Sequence, residues 1–295
     1  MALQQKGYPV SVGQRPRPLS LNLVIEGFSS EKSRDVLMEF CQSSRKRVAI
    51  VMTEHFDFQH GEIYFHGAPL GSENDYMHPA ASFARIQHLL ECAPYLKCFF
   101  VLGDLPELRN ISTMLPDLEV RTIPFPNLGG GPCEDIDRSS DTVHDLVFTG
   151  AMTKNRAKLL ALLEAEGLSV ACPRRFVSRN RRNALNRSGK VILNIPQRGG
   201  WNWLSLMRVV AGLQTGRATI SLGTQDASHI ASCCTQLNIG DYDWVSLVKE
   251  CVGDWKSLYV RDLVSYSAMA QKFEREKPFP HDVFEYWSTT DGVYH

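Results

Sequence analysis

Residues 145–170 read DLVFTGAMTKNRAKLLALLEAEGLSV. A short apolar run closes on Gly150, an apolar-periodic helical pattern covers 154–167 and stops at Gly167, and a second apolar run, LSVAC, follows over 168–172. Strand, turn, helix, glycine stop and strand are the signature of a parallel β-α-β unit. The first turn of that helix carries Lys154 and Arg156. A helix N-terminus is its positive end, so each cation there costs a few tenths of a kcal/mol on a scale of ~0.3–1 kcal/mol. Two readings compete. The cations decorate a solvated turn, or they hold a phosphate-bearing ligand, with Gly150 allowing the backbone to approach it closely. No P-loop or GxGxxG fingerprint accompanies them.

The same alternation extends in both directions. Before it come strand-like LNLVIEG (21–27), a helical stretch over 29–44, the buried strand RVAIVMTEHF (47–56), a helix over 80–94, KCFFVLG (97–103), a helix opening after Asp104 and Pro106, and LEVRTIPFP (118–126). Residues 57–79, rich in His, Gly and Pro, read as a long polar loop. After it come a helix over 177–188, KVILNIP (190–196), a helix over 203–215 and RATISLG (217–223), the last clear strand. Beyond Asp241 the pattern is mostly helical and ends in the aromatic-rich PFPHDVFEYW (278–287). Strands alternating with helices imply parallel sheets covered on both faces. NLGGGPCEDIDRSSDTV (127–143) is the best linker, so the expected division is 1–128, a linker 129–143, 144–270, and a terminal segment 271–295 returning to the first domain.

Bulk properties exclude several classes. The chain has 295 residues, is 43% hydrophobic and 22% charged, and balances 32 Lys plus Arg against 32 Asp plus Glu. No global field draws it to nucleic acid or anionic lipid. The basic run RRFVSRNRRNALNR (174–187) reads as an amphipathic helix with a solvated face, so nucleic acid is not expected as a partner, while an anionic or membrane-surface acceptor is left open. The eight cysteines show no CxxC spacing and the leader has no apolar core, which reads as a cytoplasmic chain with reduced thiols. No stretch reaches the ~18 apolar residues of a membrane span. His55, His60 and His66 lack metal-ligand spacing, and no metal is expected.

In open α/β sheets ligands meet the carboxyl ends of the strands. Those ends offer Glu54, His55 and Asp57; Gly103 and Asp104; Gly150, Thr153, Lys154 and Arg156; the loop QRGGWNW (197–203) with Trp201 and Trp203; and Gly223 to Asp226. Ser205 and Arg208 open the helix after that loop. The tryptophans either stack on a sugar or base, or cap the core. Glu54 and His55 are the candidate bases.

The order DLVFTGAMTKNRAKLLALLEAEGLSV, RNALNRSGKVILNI and SLMRVVAGLQTGRATISLG resembles the carboxyl-terminal domain of GT-B glycosyltransferases, particularly short bacterial members of the group-1-like type. The resemblance covers 145–225 in motif-like detail and the rest by architecture. It implies an α/β fold of two Rossmann-like domains facing a cleft, and transfer of a sugar from a nucleotide-diphosphate donor to a hydroxyl acceptor without a metal ion or other cofactor. Carried over, Gly150, Lys154 and Arg156 contact the diphosphate, Ser205 and Arg208 lie along the nucleotide, and Thr153, Asn194 and Trp203 complete the donor side. Glu54 or His55 would serve as base in an inverting course. The chain departs from the pattern at Ala211 and Leu222, where the family carries acidic residues. Those departures admit a degenerate copy that binds without turnover. An epimerase on the same architecture and a base-modifying DNA glycosyltransferase are further alternatives. Arg156→Ala is expected to weaken donor binding without altering the melting temperature.

Overall fold

The structure, a computed structural model, describes residues 1–26, 30–53, 56–65, 67–72, 79–104, 110–129, 142–175 and 177–290. Two compact units divide the chain: Met1–Asn127 with Lys272–His295, and Leu128–Gln271.

The first unit contains α1 (Ala2–Gln5), β1 (Leu23–Ile25), α2 (Glu31–Ser44), β2 (Val48–Met52), β3 (Phe56–Gln59), β4 (Glu62–Phe65), β5 (Ala68–Pro69), α3 (Pro79–Cys92), β6 (Leu96–Leu102), α4 (Ile111–Met114) and β7 (Val120–Ile123). Its main sheet has the order β1-β2-β6-β7, every pairing parallel. Successive strands step the same way, and right-handed crossovers then place α2, α3 and α4 on one face. Side chains alternate accordingly. Val48, Ile50, Met52, Phe99 and Val101 pack with Leu37, Cys41, Ile86, Leu89 and Ile111. Ala49, Cys98, Phe100 and Ile123 point the other way, which no crossover helix covers. The C-terminal helix α10 (His281–Thr290) closes that face with Val283, Phe284 and Trp287, and Phe284 stacks on Phe100 at 5.1 Å.

The stretch expected to be a polar loop holds the antiparallel sheet β3-β4-β5. Gln59 pairs with Glu62 around His60 and Gly61, whose φ values are +51° and +81°. Two positive φ values make the mirror-image turn that matches strand twist. His60 at the first central position, where Asn or Asp is usual, hid the hairpin from the sequence reading.

The second unit runs β8 (His144–Val147), α5 (Lys154–Ala165), β9 (Val170–Ala171), α6 (Arg179–Ser188), β10 (Gly189–Asn194), α7 (Leu206–Gln214), β11 (Thr219–Leu222), β12 (Thr235–Leu237), α8 (Trp244–Gly253) and most of α9 (Trp255–Glu276). Its parallel sheet has the order β12-β11-β10-β8-β9. Here the direction of winding reverses. From β8 the chain steps outward to β9, then crosses back over β8 to β10 and continues to β11 and β12. Helices therefore leave the carboxyl ends of β8 and β10 toward opposite faces, and the gap between those ends is the topological switch point. The three-residue β12 escaped the sequence reading because it is too short to show a period.

Candidate functional site

At the carboxyl end of β8 the chain reads Phe148-Thr149-Gly150 and enters α5 through Thr153. That residue has extended backbone (φ −128°, ψ 167°) and caps the helix by accepting the Arg156 N–H at 3.4 Å. Three side chains of this first turn then reach across the switch point to the segment after β10. The Thr153 hydroxyl donates to the Gln197 carbonyl at 2.7 Å, Asn155 Nδ2 to the Pro196 carbonyl at 3.1 Å, and Arg156 Nε to the Ile195 carbonyl at 2.9 Å. These carbonyls have left the ladder and need donors from elsewhere. Arg156 also donates through Nη1 to the Ala151 carbonyl at 2.7 Å and is 5% exposed.

This excludes the solvated reading and runs against an unaltered melting temperature in Arg156→Ala. Arg156 is no solvated cation but a buried clamp between the β8–α5 turn and the end of β10. Its removal carries a stability cost. Lys154, on the opposite side of the same turn, is exposed.

Arg208 occupies the first turn of α7, behind Ser205 at the N-cap, and is part-buried. Its Nη1 donates to Asn194 Oδ1, and the same oxygen accepts the Ser205 backbone N–H at 3.4 Å. The Arg208 guanidinium lies 5.4 Å from the centre of the Phe148 ring, and that of Arg156 lies 5.3 Å from it. Phe148, fully buried, is thus a platform shared by two cations. Gly150 makes the arrangement possible: a Cβ there would stand 2.5 Å from Phe148 Cζ and 3.0 Å from an Arg208 Nη atom. Its lack of a side chain serves the approach of Arg208 and Phe148, whatever else lies above it. Burial first, and the nearby Arg156 charge second, pull the Arg208 pKa down to about 9, so it stays cationic at neutral pH. Among the described residues no carboxylate pairs with Arg208, and neither α5 nor α7 has an acidic residue in its first turn. Two helix N-termini and two guanidinium groups therefore concentrate positive potential at the switch point, the electrostatic form of an anion site.

The remaining expected residues fall as follows. Asn194 is 2% exposed and central to the arrangement. Trp203 and Trp201 are part-buried in the loop before α7, edge to face with centroids 6.5 Å apart, and Arg198 lies 6.0 Å from the Trp201 ring. That loop is fastened to the one after β11, where Asp226 Oδ2 accepts the Leu204 N–H at 2.6 Å. Ala211 and Leu222 are both buried and apolar, so neither position offers a group to hold a ribose. Glu54 and His55, the candidate bases, lie outside the described residues, as does most of the expected linker. The later part of the basic run lies in α6, where Arg179 and Arg181 are exposed, and Arg174 and Arg175, before the helix, are exposed too. Among the described residues no group of three or more His, Cys, Asp or Glu could hold a metal ion, and no helix is long and apolar enough to cross a membrane.

Sequence reasoning missed Phe148 and Ser221, and had Thr224 only as one of the residues after the last strand. Ser221 carried a usable signal, being a hydroxyl in the otherwise apolar end of a central parallel strand, where buried polar groups need a designated partner.

No family model matches the chain, and no curated protein matches it. Solved structures with a related course are UDP-forming α,α-trehalose-phosphate synthases from two Burkholderia species and an α,α-trehalose 6-phosphate synthase from a third. The B. xenovorans protein is 9% identical, with a TM-score of 0.44 over 88% of this chain and 73% of that one. The B. vietnamiensis protein is 11% identical, at 0.42 over 92% and 75%. The B. multivorans protein is 10% identical, at 0.45 over 94% and 73%.

Proposed function

We propose that this chain is a GT-B glycosyltransferase that moves a sugar from a nucleotide-diphosphate donor to a hydroxyl acceptor without a metal ion. The observation that carries the reading is the cationic switch point of the second unit, where Arg208 and Arg156 share the Phe148 ring beside two helix N-termini. Sugar transfer leaves negative charge on the departing diphosphate, and preorganised donors in a part-buried site stabilise that charge without reorganising. Arg208 is the principal group, since an amide oxygen and a ring leave its charge unneutralised. Lys154, exposed one residue into α5, supplies a second cation from the solvent side. The role of base belongs to Glu54 or His55 in an inverting course. Trp203 and Ser205 border the nucleotide.

Buried Ala211 and Leu222 favour one rival, a degenerate copy that binds the donor and does not turn it over. A thermal-shift screen against UDP-, GDP- and ADP-sugars, followed by release of nucleoside diphosphate in the presence of acceptor sugars and lipids, separates the two. Stabilisation by one nucleotide series with release supports the transferase. Stabilisation without release across the acceptors supports the binding protein, and no stabilisation by any series removes both.

A further inference from the structure

The end of the second sheet carries a line of buried and part-buried polar side chains that the anion site does not need for its charge. Asn194, Ser221 and Gln236 sit on β10, β11 and β12. They are direct register partners, Asn194 opposite Ser221 and Ser221 opposite Gln236. Their side chains share one layer and are joined edge to edge. Asn194 Nδ2 donates to Ser221 Oγ at 2.7 Å, Ser221 Oγ lies 2.7 Å from Thr224 Oγ1, and Thr224 Oγ1 donates to Gln236 Oε1 at 2.8 Å. Asn194, Ser221 and Thr224 are all buried.

The direction of every proton in this line follows from its far end. Gln236 Nε2 donates to the Asp226 carbonyl at 2.8 Å, and Gln236 Oε1 accepts the Asp226 N–H at 2.9 Å. A backbone carbonyl only accepts and a backbone N–H only donates, so the Gln236 amide has one orientation. Its oxygen then obliges the Thr224 hydroxyl to donate, which leaves the Thr224 oxygen to accept from Ser221. The Ser221 oxygen in turn accepts from Asn194. The Asn194 amide nitrogen must face Ser221, and its oxygen must face the Arg208 Nη1 and the Ser205 N–H.

We infer that Asn194 is a positioning residue, and that the relay Gln236–Thr224–Ser221 sets its amide orientation so that Oδ1 holds the Arg208 guanidinium over Phe148. A flipped Asn194 would present two N–H donors to a cation and release Arg208 from the site. These four polar side chains cost desolvation and form one line, anchored by the Asp226 backbone at one end and closing on Arg208 and the Ser205 N–H at the other, so breaking any link loosens the whole. The inference deepens the proposed donor site and takes its ligand from that reading; its geometry rests on the hydrogen bonds alone.

Ser221 touches neither Arg208 nor the proposed ligand, which makes it the place to test the relay. Two readouts keep its failure apart from that of the functional reading. The first needs no ligand: the Arg208 Nε–Hε NMR resonance, sharp and protected in the native protein, broadens in Ser221→Ala and returns in Ser221→Thr, which restores the hydroxyl. The second is the affinity for inorganic pyrophosphate, the moiety common to nucleoside diphosphates. It falls about tenfold in Ser221→Ala, the effect of misplacing one hydrogen bond to a charged group, and shows no further fall in an Arg208→Ala background. Thr224→Val, close in shape, provides the same break should Ser221→Ala fail to fold. An unchanged Arg208 resonance in both variants overturns the relay, and so does an undiminished affinity loss in the Arg208→Ala background. A resonance that responds while pyrophosphate fails to bind upholds the relay and removes the donor site.

Discussion

The two parallel sheets treat a cation near their carboxyl ends in opposite ways. In the first unit Glu26, the residue after β1, is buried and takes Nε and Nη2 of Arg85 from α3 on its two carboxylate oxygens. In the second, Arg208 is held by an amide oxygen and an aromatic ring, beside a second guanidinium that donates to backbone carbonyls. A carboxylate cancels the charge it holds, whereas an amide oxygen orients a cation and leaves its field available. The strand orders differ in the same sense. β1-β2-β6-β7 never reverses, and β12-β11-β10-β8-β9 reverses between β8 and β10, where Arg208 and Arg156 lie. On the proposed reading, the contrast leaves Arg85 structural and Arg208 available to an anion.

The sharpest way to break this comparison is Glu26→Ala. Removing the carboxylate from the buried Arg85 costs about 3–5 kcal/mol, read as a fall in the urea midpoint, and a change below about 1 kcal/mol would mean that the ion pair contributes no more than an exposed one. Next is Arg156→Ala, which strips donors from the Ile195 and Ala151 carbonyls and costs about 2–3 kcal/mol. A melting temperature equal to that of the native protein would return Arg156 to the role of a simple ligand contact.

A smaller effect is expected at Asp262, a buried carboxylate of the second unit. Its Oδ1 meets Arg261 while its Oδ2 has no hydrogen-bond partner. Burial pushes its pKa up to about 6 against the Arg261 charge, which lowers it. The unfolded chain titrates near 3.9. Because the folded value is the higher one, the ionised carboxylate destabilises the fold above pH 6, and that penalty is relieved as pH falls from 6 toward 4. Asp262→Asn mimics the protonated form. It should raise stability by about 2 kcal/mol at pH 7.5, with the gain shrinking below pH 6 and gone near pH 4, in thermal melts across that range. A pH-independent difference would show that packing, not ionisation, sets the effect.

Much of the fold was legible because buried strands and glycine-stopped helices carry strong local periods, as in 145–170. Strand order was not, since nothing in an apolar run says which neighbour it pairs with, and so the reversal that creates the site was invisible. The burial of Arg156 was overlooked for a subtler reason. It lies three, four and seven residues before Leu159, Leu160 and Leu163, all buried on one stripe of α5, so the helical spacing already placed it on the inner face. Its charge was weighed and its register was not. Phe148 read as ordinary core because a platform and a core ring have the same sequence. Asn194 and Arg208 were both named, but the hydrogen bond that joins them depends on how α7 packs at the end of β10, which only the folded unit supplies.

The central claim is that the β8–β10 switch point binds the diphosphate of a nucleotide through Arg208. Calorimetric titration of the native protein and Arg208→Ala with matched nucleoside, nucleoside monophosphate and nucleoside diphosphate in the uridine and guanosine series tests it directly. The account predicts that affinity in one series rises with each phosphate, and that Arg208→Ala removes about 1.5–3 kcal/mol of diphosphate binding while leaving the nucleoside unaffected. Equal affinity for nucleoside and diphosphate, or diphosphate binding indifferent to Arg208→Ala, would contradict it.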